Sequence, residues 1–138
     1  MGKLLPAVLV LSVLCALPSG ALADDLDGTY DARGVNALDG TSYSGTVTIT
    51  RTGDVYEVTW DVGGSSYLGT GVRVDDVLSV GYTDQERSWF GVVGYRIGKG
   101  GRLVGTWCTL LGKTVGTETL VRRKPADRPP SPASTGGG

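Results

Sequence analysis

The side chains that most often carry enzyme chemistry are scarce in this chain. Its 138 residues include no histidine and only two cysteines, Cys15 and Cys108. Without imidazole, Ser-His-Asp and Cys-His arrangements are excluded, as are metal sites built on histidine. Two thiols are also too few for a multi-cysteine zinc site. We therefore expect no metal and no cofactor, and carboxylates are the remaining candidates for acid–base chemistry.

Glu118 is the strongest candidate among these carboxylates. It lies in a Thr-rich segment that predicts a strand, where it alternates with Gly116 and Leu120. Alternate strand residues share one face, so this spacing can point Glu118 toward the interior, where a carboxyl group can act as an acid or base. The alternative, which the rarity of unpaired buried acids favours, is that Glu118 pairs with an arginine such as Arg96 or faces water.

The other charged residues point away from cation and nucleic-acid binding. Asp24-Asp25-x-Asp27 and Asp75-Asp76 lack the ligand number and spacing of a calcium loop, so we interpret them as a solvated terminus and a turn. Residues 24–123 contain thirteen acidic and ten basic residues, mixed along the chain without a basic block. This pattern argues against a nucleic-acid partner and against a polybasic membrane patch.

The two ends of the chain differ from its middle. Lys3, an apolar run over residues 4–17 and the small-residue sequence Ala21-Leu22-Ala23 are typical of a signal peptide, residues 1–23, with cleavage after Ala23. Residues 124–138 are rich in Pro, Ser and Gly and predict a disordered tail. We therefore expect a secreted or periplasmic protein, not embedded in a membrane, with one domain over residues 24–123. The lone remaining Cys108 is interpreted as a small buried apolar group.

The middle of the chain predicts strands throughout. Segments rich in Val, Thr, Tyr and Ile are separated by short turns such as Asp39-Gly40 and Gly63-Gly64. The predicted strands are 28–34, 42–51, 54–62, 65–74, 77–82, 91–97, 102–109 and 114–122. Their short connections favour a meander, which eight strands can close into an all-β, antiparallel up-and-down barrel. A two-layer β-sandwich is the alternative.

Strand alternation also predicts which side chains lie inside. The residues assigned to the interior as candidate ligand-binding groups, together with Glu118, are Tyr43, Tyr56, Trp60, Tyr67, Tyr95 and Trp107. Glycines two residues from an aromatic, as in Gly105-Thr106-Trp107, are expected to leave room beside a ring. A barrel filled by its own side chains is favoured over one with an open pocket. The longest predicted connection, 83–90, carries Arg87, Trp89 and Phe90, which suit a lid or a protein-contact patch.

A set of ordered motifs resembles a known family. The segments Gly28-Thr29-Tyr30, Tyr43-Ser44-Gly45-Thr46-Val47, Tyr56-x-Val58-x-Trp60, Tyr67-x-Gly69-x-Gly71 and Gly116-Thr117-Glu118-Thr119-Leu120 span nearly all of residues 26–122. They are similar to small secreted bacterial barrels of the calycin type, the group that includes lipocalins and avidins, and in particular to a family often labelled fibronectin-binding. The resemblance implies an interaction with an extracellular matrix glycoprotein, and no binding residue is carried over with it.

Three functions follow as expectations. The first is a non-enzymatic protein-binding module that uses its loops or outer barrel face. The second is a carrier of a small apolar ligand inside the barrel, and the third is a carboxylate-dependent enzyme that uses Glu118. The barrel architecture does not discriminate between them, because one fold supports many functions.

Overall fold

The chain forms a closed barrel of eight antiparallel strands. A computed structural model describes Gly2 and residues 25–125. The strands are β1 Gly28–Val35, β2 Ser42–Thr52, β3 Val55–Val62, β4 Ser65–Val74, β5 Val77–Asp84, β6 Phe90–Ile97, β7 Arg102–Thr109 and β8 Gly116–Arg122. Each strand pairs with the next, and β8 pairs with β1 to complete the closure. The predicted up-and-down barrel is thus confirmed, and the β-sandwich alternative is wrong.

The observed strand ends correct six of the predicted ones. Strand β1 ends at Val35, β2 ends at Thr52 and β3 begins at Val55, each one residue from the predicted end. Strand β5 continues to Asp84 instead of ending at residue 82, β6 begins at Phe90, and β8 begins at Gly116. The connection between β5 and β6 is therefore residues 85–89, shorter than the six-residue connections 36–41 and 110–115. The prediction that 83–90 is the longest connection is wrong because Tyr82, Thr83 and Phe90 continue the β5–β6 pairing.

Alternation along the strands separates a buried inner face from a polar outer face. In β3, Tyr56, Val58 and Trp60 are buried, whereas Glu57 and Thr59 are exposed. Apolar residues of all eight strands meet inside and form one core, because each strand of a barrel sends every second side chain inward. Among residues 25–125 the sole helical piece is a single 3₁₀ turn, Lys99–Gly101.

One end of the barrel is closed by the chain itself. Leu26, which precedes β1, is fully buried, and its carbonyl accepts a 2.7 Å hydrogen bond from the Tyr30 hydroxyl. The guanidinium of Arg122 donates to the same hydroxyl at 2.9 Å and lies 5.4 Å from the centre of the Tyr30 ring. These contacts seal the end at which the chain enters β1, so any ligand enters from the opposite end.

Two of the predictions fall largely outside the described residues. The expected signal peptide, apart from Gly2, and the expected tail beyond Pro125 are not described. No helix in the described part of the chain has the length and apolar character needed to cross a membrane.

Candidate functional site

The open half of the barrel contains a cavity of about 290 Å³. This volume lies at the lower end of the range of ligand pockets, roughly 300–1,000 Å³. Seven aromatic rings from six strands and one connection form most of its wall: Tyr43, Trp60, Tyr67, Tyr82, Trp89, Tyr95 and Trp107. The remaining lining residues are Asn36, Val62, Gly63, Val93, Thr109 and Glu118. The expectation of a filled barrel is therefore right for the closed half and wrong for the open half.

Glu118 lies buried in the wall of the cavity with three hydrogen-bond donors directed at its carboxylate. It is 4% exposed. The indole Nε1 of Trp60 donates to Oε1 at 3.0 Å, and the Tyr43 hydroxyl donates to Oε2 at 3.0 Å. The Tyr95 hydroxyl also donates to Oε1 and lies 3.3 Å from the Trp60 nitrogen. Because the indole can only donate, this arrangement suits an ionised carboxylate that accepts.

Burial of the surrounding phenols and the negative charge of Glu118 together disfavour ionisation of these phenols. Burial is the main reason that the pKa of Tyr95 lies well above its usual value, and the negative charge of Glu118 adds to the effect. The same two causes raise the pKa of Tyr43. Burial also raises the pKa of Tyr82. These phenols therefore remain neutral hydrogen-bond donors over the physiological pH range.

Glycines on neighbouring strands provide the space that the rings occupy. Each of four aromatic residues lies directly across from a glycine: Tyr43 from Gly34, Tyr82 from Gly91, Tyr95 from Gly105 and Trp107 from Gly116. A Cβ on Gly105 would lie 2.5 Å from Cδ1 of Tyr95, and one on Gly91 would lie 2.5 Å from Cζ of Tyr82. The expectation that glycines leave room for rings is thus correct, but the predicted pairs within one strand are wrong, because each of these rings covers a glycine of the adjacent strand.

Trp89 is held over the mouth of the cavity by its own short connection. The Asp84 carboxylate accepts hydrogen bonds from the backbone N–H of Ser88, at 2.8 Å, and from its hydroxyl. These bonds hold the pKa of Asp84 below its usual value. The Trp89 ring then packs 5.8 Å from Tyr82 and 5.9 Å from Tyr67, measured between ring centres. The connection therefore contributes an aromatic wall to the cavity.

The structure brings together most of the predicted interior residues. Five of the six predicted aromatics line the cavity with Glu118, namely Tyr43, Trp60, Tyr67, Tyr95 and Trp107. Tyr56 also faces inward and is buried, but it lies in the closed half and does not line the cavity. Its position next to the β2–β3 turn places it at the other end of β3 from Val62.

The predicted contact patch is divided between two faces. Trp89 turns toward the cavity, whereas Phe90 points outward from β6 and is 54% exposed. Arg87 is exposed in the connection and has a left-handed backbone conformation, with φ 57°. The three residues therefore do not form one surface, because Trp89 and Phe90 are adjacent in an extended segment and point to opposite faces of the barrel wall.

Two further predictions were wrong. Glu118 does not pair with Arg96, whose guanidinium forms an ion pair with Asp76 at 2.9 Å on the outer surface. Cys108 is half-buried, because in β7 it faces outward between the inward Trp107 and Thr109. It is therefore not part of the core.

Sequence reasoning missed Tyr82 as a cavity residue, and it assigned Trp89 to a lid or a protein-contact patch and not to the cavity wall. Tyr82 alternates with Leu78 and Val80, so the inward pattern of β5 contains the signal that could have identified it. The inward turn of Trp89 has no such signal, because it depends on the Asp84 hydrogen bonds.

Nε1 of Trp107 is buried and has no hydrogen-bond partner among the described residues. Trp107 also lowers the pKa of the neighbouring Tyr43, but the upward effects of burial and of Glu118 are larger.

Within residues 25–125, no three His, Cys, Asp or Glu side chains lie together in a way that would hold a metal ion. The chemistry available in the cavity is thus that of aromatic walls, several neutral donors and one carboxylate acceptor.

Comparison with known proteins identifies the fold. No family model and no curated protein matches this chain. The chain is similar to the solved structure of a redesigned β-barrel, at 18% identity and a TM-score of 0.60, over 72% of this chain and 92% of that one. It is also similar to a de novo designed fluorescence-activating β-barrel, at 18% identity and a TM-score of 0.52, over 70% of this chain and 93% of that one. These similarities support the antiparallel β-barrel.

Proposed function

We propose that this protein is an exported, non-enzymatic binding protein that holds a small, largely apolar molecule in the open half of its barrel. The observation that carries the proposal is the cavity of about 290 Å³ walled by seven aromatic rings. Concave apolar sites with a few convergent polar groups are the usual form of small-molecule sites. Export rests on the signal-like residues 1–23.

The rings of the cavity are supported before any ligand arrives. Tyr43, Trp60 and Tyr95 are each hydrogen-bonded to Glu118, and the glycines across from Tyr43 and Tyr95 leave their rings a defined space. A site with ordered walls loses little conformational entropy when it binds. The arrangement therefore favours binding of a rigid ligand of matching size.

The direct test compares a cavity-blocking variant with a matched surface variant. Val93 lines the cavity, whereas the preceding Val92 points outward and is 52% exposed. We expect the neutral dye N-phenyl-1-naphthylamine to bind the wild-type protein with enhanced, blue-shifted emission. Val93→Phe should weaken that binding at least about ten-fold, because the added ring fills the cavity, and Val92→Phe should leave it unchanged.

Folding of both variants is checked by circular dichroism. If Val93→Phe does not fold, Thr109→Phe replaces it, because Thr109 lines the cavity and is half-buried. Dye binding that is absent in the wild type, or that all variants retain equally, contradicts the proposal. Native mass spectrometry of protein purified from its own host then identifies the retained molecule.

A second candidate function is protein binding through the outer face of β6 and β7. Phe90, Val92 and Leu110 are each about half exposed, and the backbone N–H of Leu110 donates to the Phe90 carbonyl at 2.8 Å. An exposed apolar strip of this kind suits a protein contact. The resemblance to fibronectin-binding proteins makes an extracellular matrix glycoprotein the partner to test.

Capture on immobilised fibronectin discriminates between the two functions. Phe90→Ser should abolish capture if the strip is the contact, and Trp89→Phe should retain it because Trp89 faces the cavity. Equal capture of both variants, or no capture of the wild type, contradicts this second function and leaves cavity binding unaffected.

A further inference from the structure

We propose that the molecule bound in the cavity is an aromatic cation whose positive charge lies beside Glu118. The inference rests on the proposed function and adds to it the chemical class of the ligand.

The first argument is that Glu118 has no positive partner among the residues that the structure describes. The ion pairs within residues 25–125 are Arg96–Asp76 and Arg123–Asp31, and neither includes it. No Lys or Arg of residues 25–125 lines the cavity. Its three donors are neutral groups, which orient the carboxylate without cancelling its charge. A buried charge without a counter-ion is costly, and a bound cation would remove that cost.

The second argument is that the carboxylate retains an unused acceptor position. A carboxylate has about four lone-pair sites. Oε1 accepts from Trp60 and Tyr95, and Oε2 accepts from Tyr43. One site on Oε2 is therefore left among the contacts of the described residues. Glu118 lines the cavity, so a positive group of a ligand can approach it directly.

The third argument comes from the walls. The faces of aromatic rings carry negative electrostatic potential and attract cations, with Trp and Tyr being the most effective residues in this respect. Trp60 and Tyr82 lie 5.7 Å apart between ring centres, and Trp89 packs edge-on to Tyr82. A neutral ligand would leave the charge of Glu118 uncompensated, and an anion would be repelled. The combination of rings and carboxylate therefore selects a cation.

The volume limits the size of this cation. About 290 Å³ limits the ligand to the size of at most two or three aromatic rings. A phenyl or bicyclic group that carries an ammonium or a ring nitrogen cation satisfies both the shape and the charge of the site.

The test uses two probes of the same shape and different charge. Phenyltrimethylammonium and tert-butylbenzene have the same number of heavy atoms, but only the first is charged. Both are titrated against the purified wild-type protein, and binding is followed by calorimetry and by the intrinsic fluorescence of the tryptophans. We expect phenyltrimethylammonium to bind at least about ten-fold more tightly than tert-butylbenzene.

Two variants that each remove one negative charge locate the source of this preference. Glu118→Gln keeps the shape of the side chain, and it should reduce the preference for the cation at least about ten-fold while tert-butylbenzene still binds. Glu57→Gln is the matched control, because Glu57 is exposed on the outer face of β3. It should leave the preference unchanged.

The outcomes separate this inference from the proposed function. Equal or tighter binding of tert-butylbenzene by the wild type overturns the inference, while cavity binding stands. A preference for the cation that survives Glu118→Gln, or that Glu57→Gln also abolishes, overturns it as well. If neither probe nor N-phenyl-1-naphthylamine binds, the proposed function fails and the inference fails with it. The wild-type comparison remains decisive even if Glu118→Gln does not fold.

Discussion

Replacement of Gly105 by alanine tests whether the glycines of the barrel exist to make room for rings. Gly105 is buried in β7 directly across from Tyr95. A Cβ at this position would lie 2.5 Å from Cδ1 of Tyr95 and 3.2 Å from Cγ2 of Val93. Carbon atoms in contact prefer about 3.5–4.0 Å, so the tyrosine ring must move by about 1 Å.

The ring of Tyr95 is poorly able to make this movement. Its hydroxyl donates to Glu118 and lies 3.3 Å from the indole nitrogen of Trp60, and the residue is 1% exposed. Overpacking alone costs about 1–3 kcal/mol. Loss of a hydrogen bond to a charged group adds about 1.5–3 kcal/mol. Gly105→Ala should therefore lower the free energy of unfolding by about 2.5–6 kcal/mol.

Gly94 provides the matched control on the neighbouring strand. It immediately precedes Tyr95 and is exposed on the outer face of β6, and a Cβ built on it meets nothing within 4 Å. Alanine here restricts the unfolded chain without strain in the folded barrel, which should raise the free energy of unfolding by about 0.4–1 kcal/mol. The two substitutions are chemically the same, so their difference isolates packing against Tyr95.

Urea unfolding monitored by circular dichroism and by tryptophan fluorescence measures both changes. A domain of 60–100 residues changes its Tm by about 4–8 °C per kcal/mol, so thermal scans should separate the two variants by roughly 10 °C or more. The reasoning is refuted if Gly105→Ala is as stable as Gly94→Ala. A Gly105→Ala protein that folds should also bind N-phenyl-1-naphthylamine more weakly, because Tyr95 forms part of the cavity wall.

Three further predictions concern the hydrogen bonds of the site. Tyr95→Phe removes one donor from Glu118 and should cost about 1.5–3 kcal/mol in urea unfolding; an unchanged free energy of unfolding would contradict the assigned hydrogen bond. Burial and Glu118 raise the pKa of Tyr95, so the stability that its neutral hydroxyl contributes is complete below pH 10 and declines above pH 10. Between pH 10 and the raised pKa, the free energy of unfolding falls by about 1.4 kcal/mol per pH unit. This prediction is contradicted if the absorbance of all tyrosines titrates near pH 10 in the folded protein. Asp84 has a lowered pKa, so its contribution is present above about pH 4 and is lost as the pH falls through the lowered value. Acidification should therefore increase acrylamide quenching of Trp89, measured as the difference between wild type and Trp89→Phe, and quenching that stays unchanged throughout an acid titration that protonates Asp84 would contradict it.

The sequence predicted the barrel well because its signals are local. Period-two alternation identifies a strand and its inner face, and short Gly- and Asp-containing turns indicate antiparallel neighbours. The spacing of Glu118 with Gly116 and Leu120 allowed an inward direction, although the rarity of unpaired buried acids favoured an arginine partner or exposure to water. Its partners could not be predicted in this way, since alternation gives a face and not a register. In the barrel, Gly34 and Gly105 lie across from Glu118, and aromatic residues of other strands reach it over them.

The open cavity was also beyond the reach of local patterns. Whether eight strands enclose a void depends on how the ring volumes add up in three dimensions. The closed half is filled because Leu26, which precedes the first strand, folds in beneath Tyr30. The open half has no such plug among the described residues, and Trp89 contributes to the wall instead of filling the centre.

The pairing of the first strand with the last determines when this barrel can be completed. Seven of its strand pairs join consecutive segments and can form as hairpins while the chain is still incomplete. The eighth joins β1 to β8, and within it the contact of Tyr30 with Arg122 spans 92 positions. Such a distant contact forms late, because the loop it closes is long. Until β8 is present, β1 and β7 both remain open edges that can pair with other chains. A chain that crosses a membrane before folding would thus close its barrel only after its last strand has arrived on the far side.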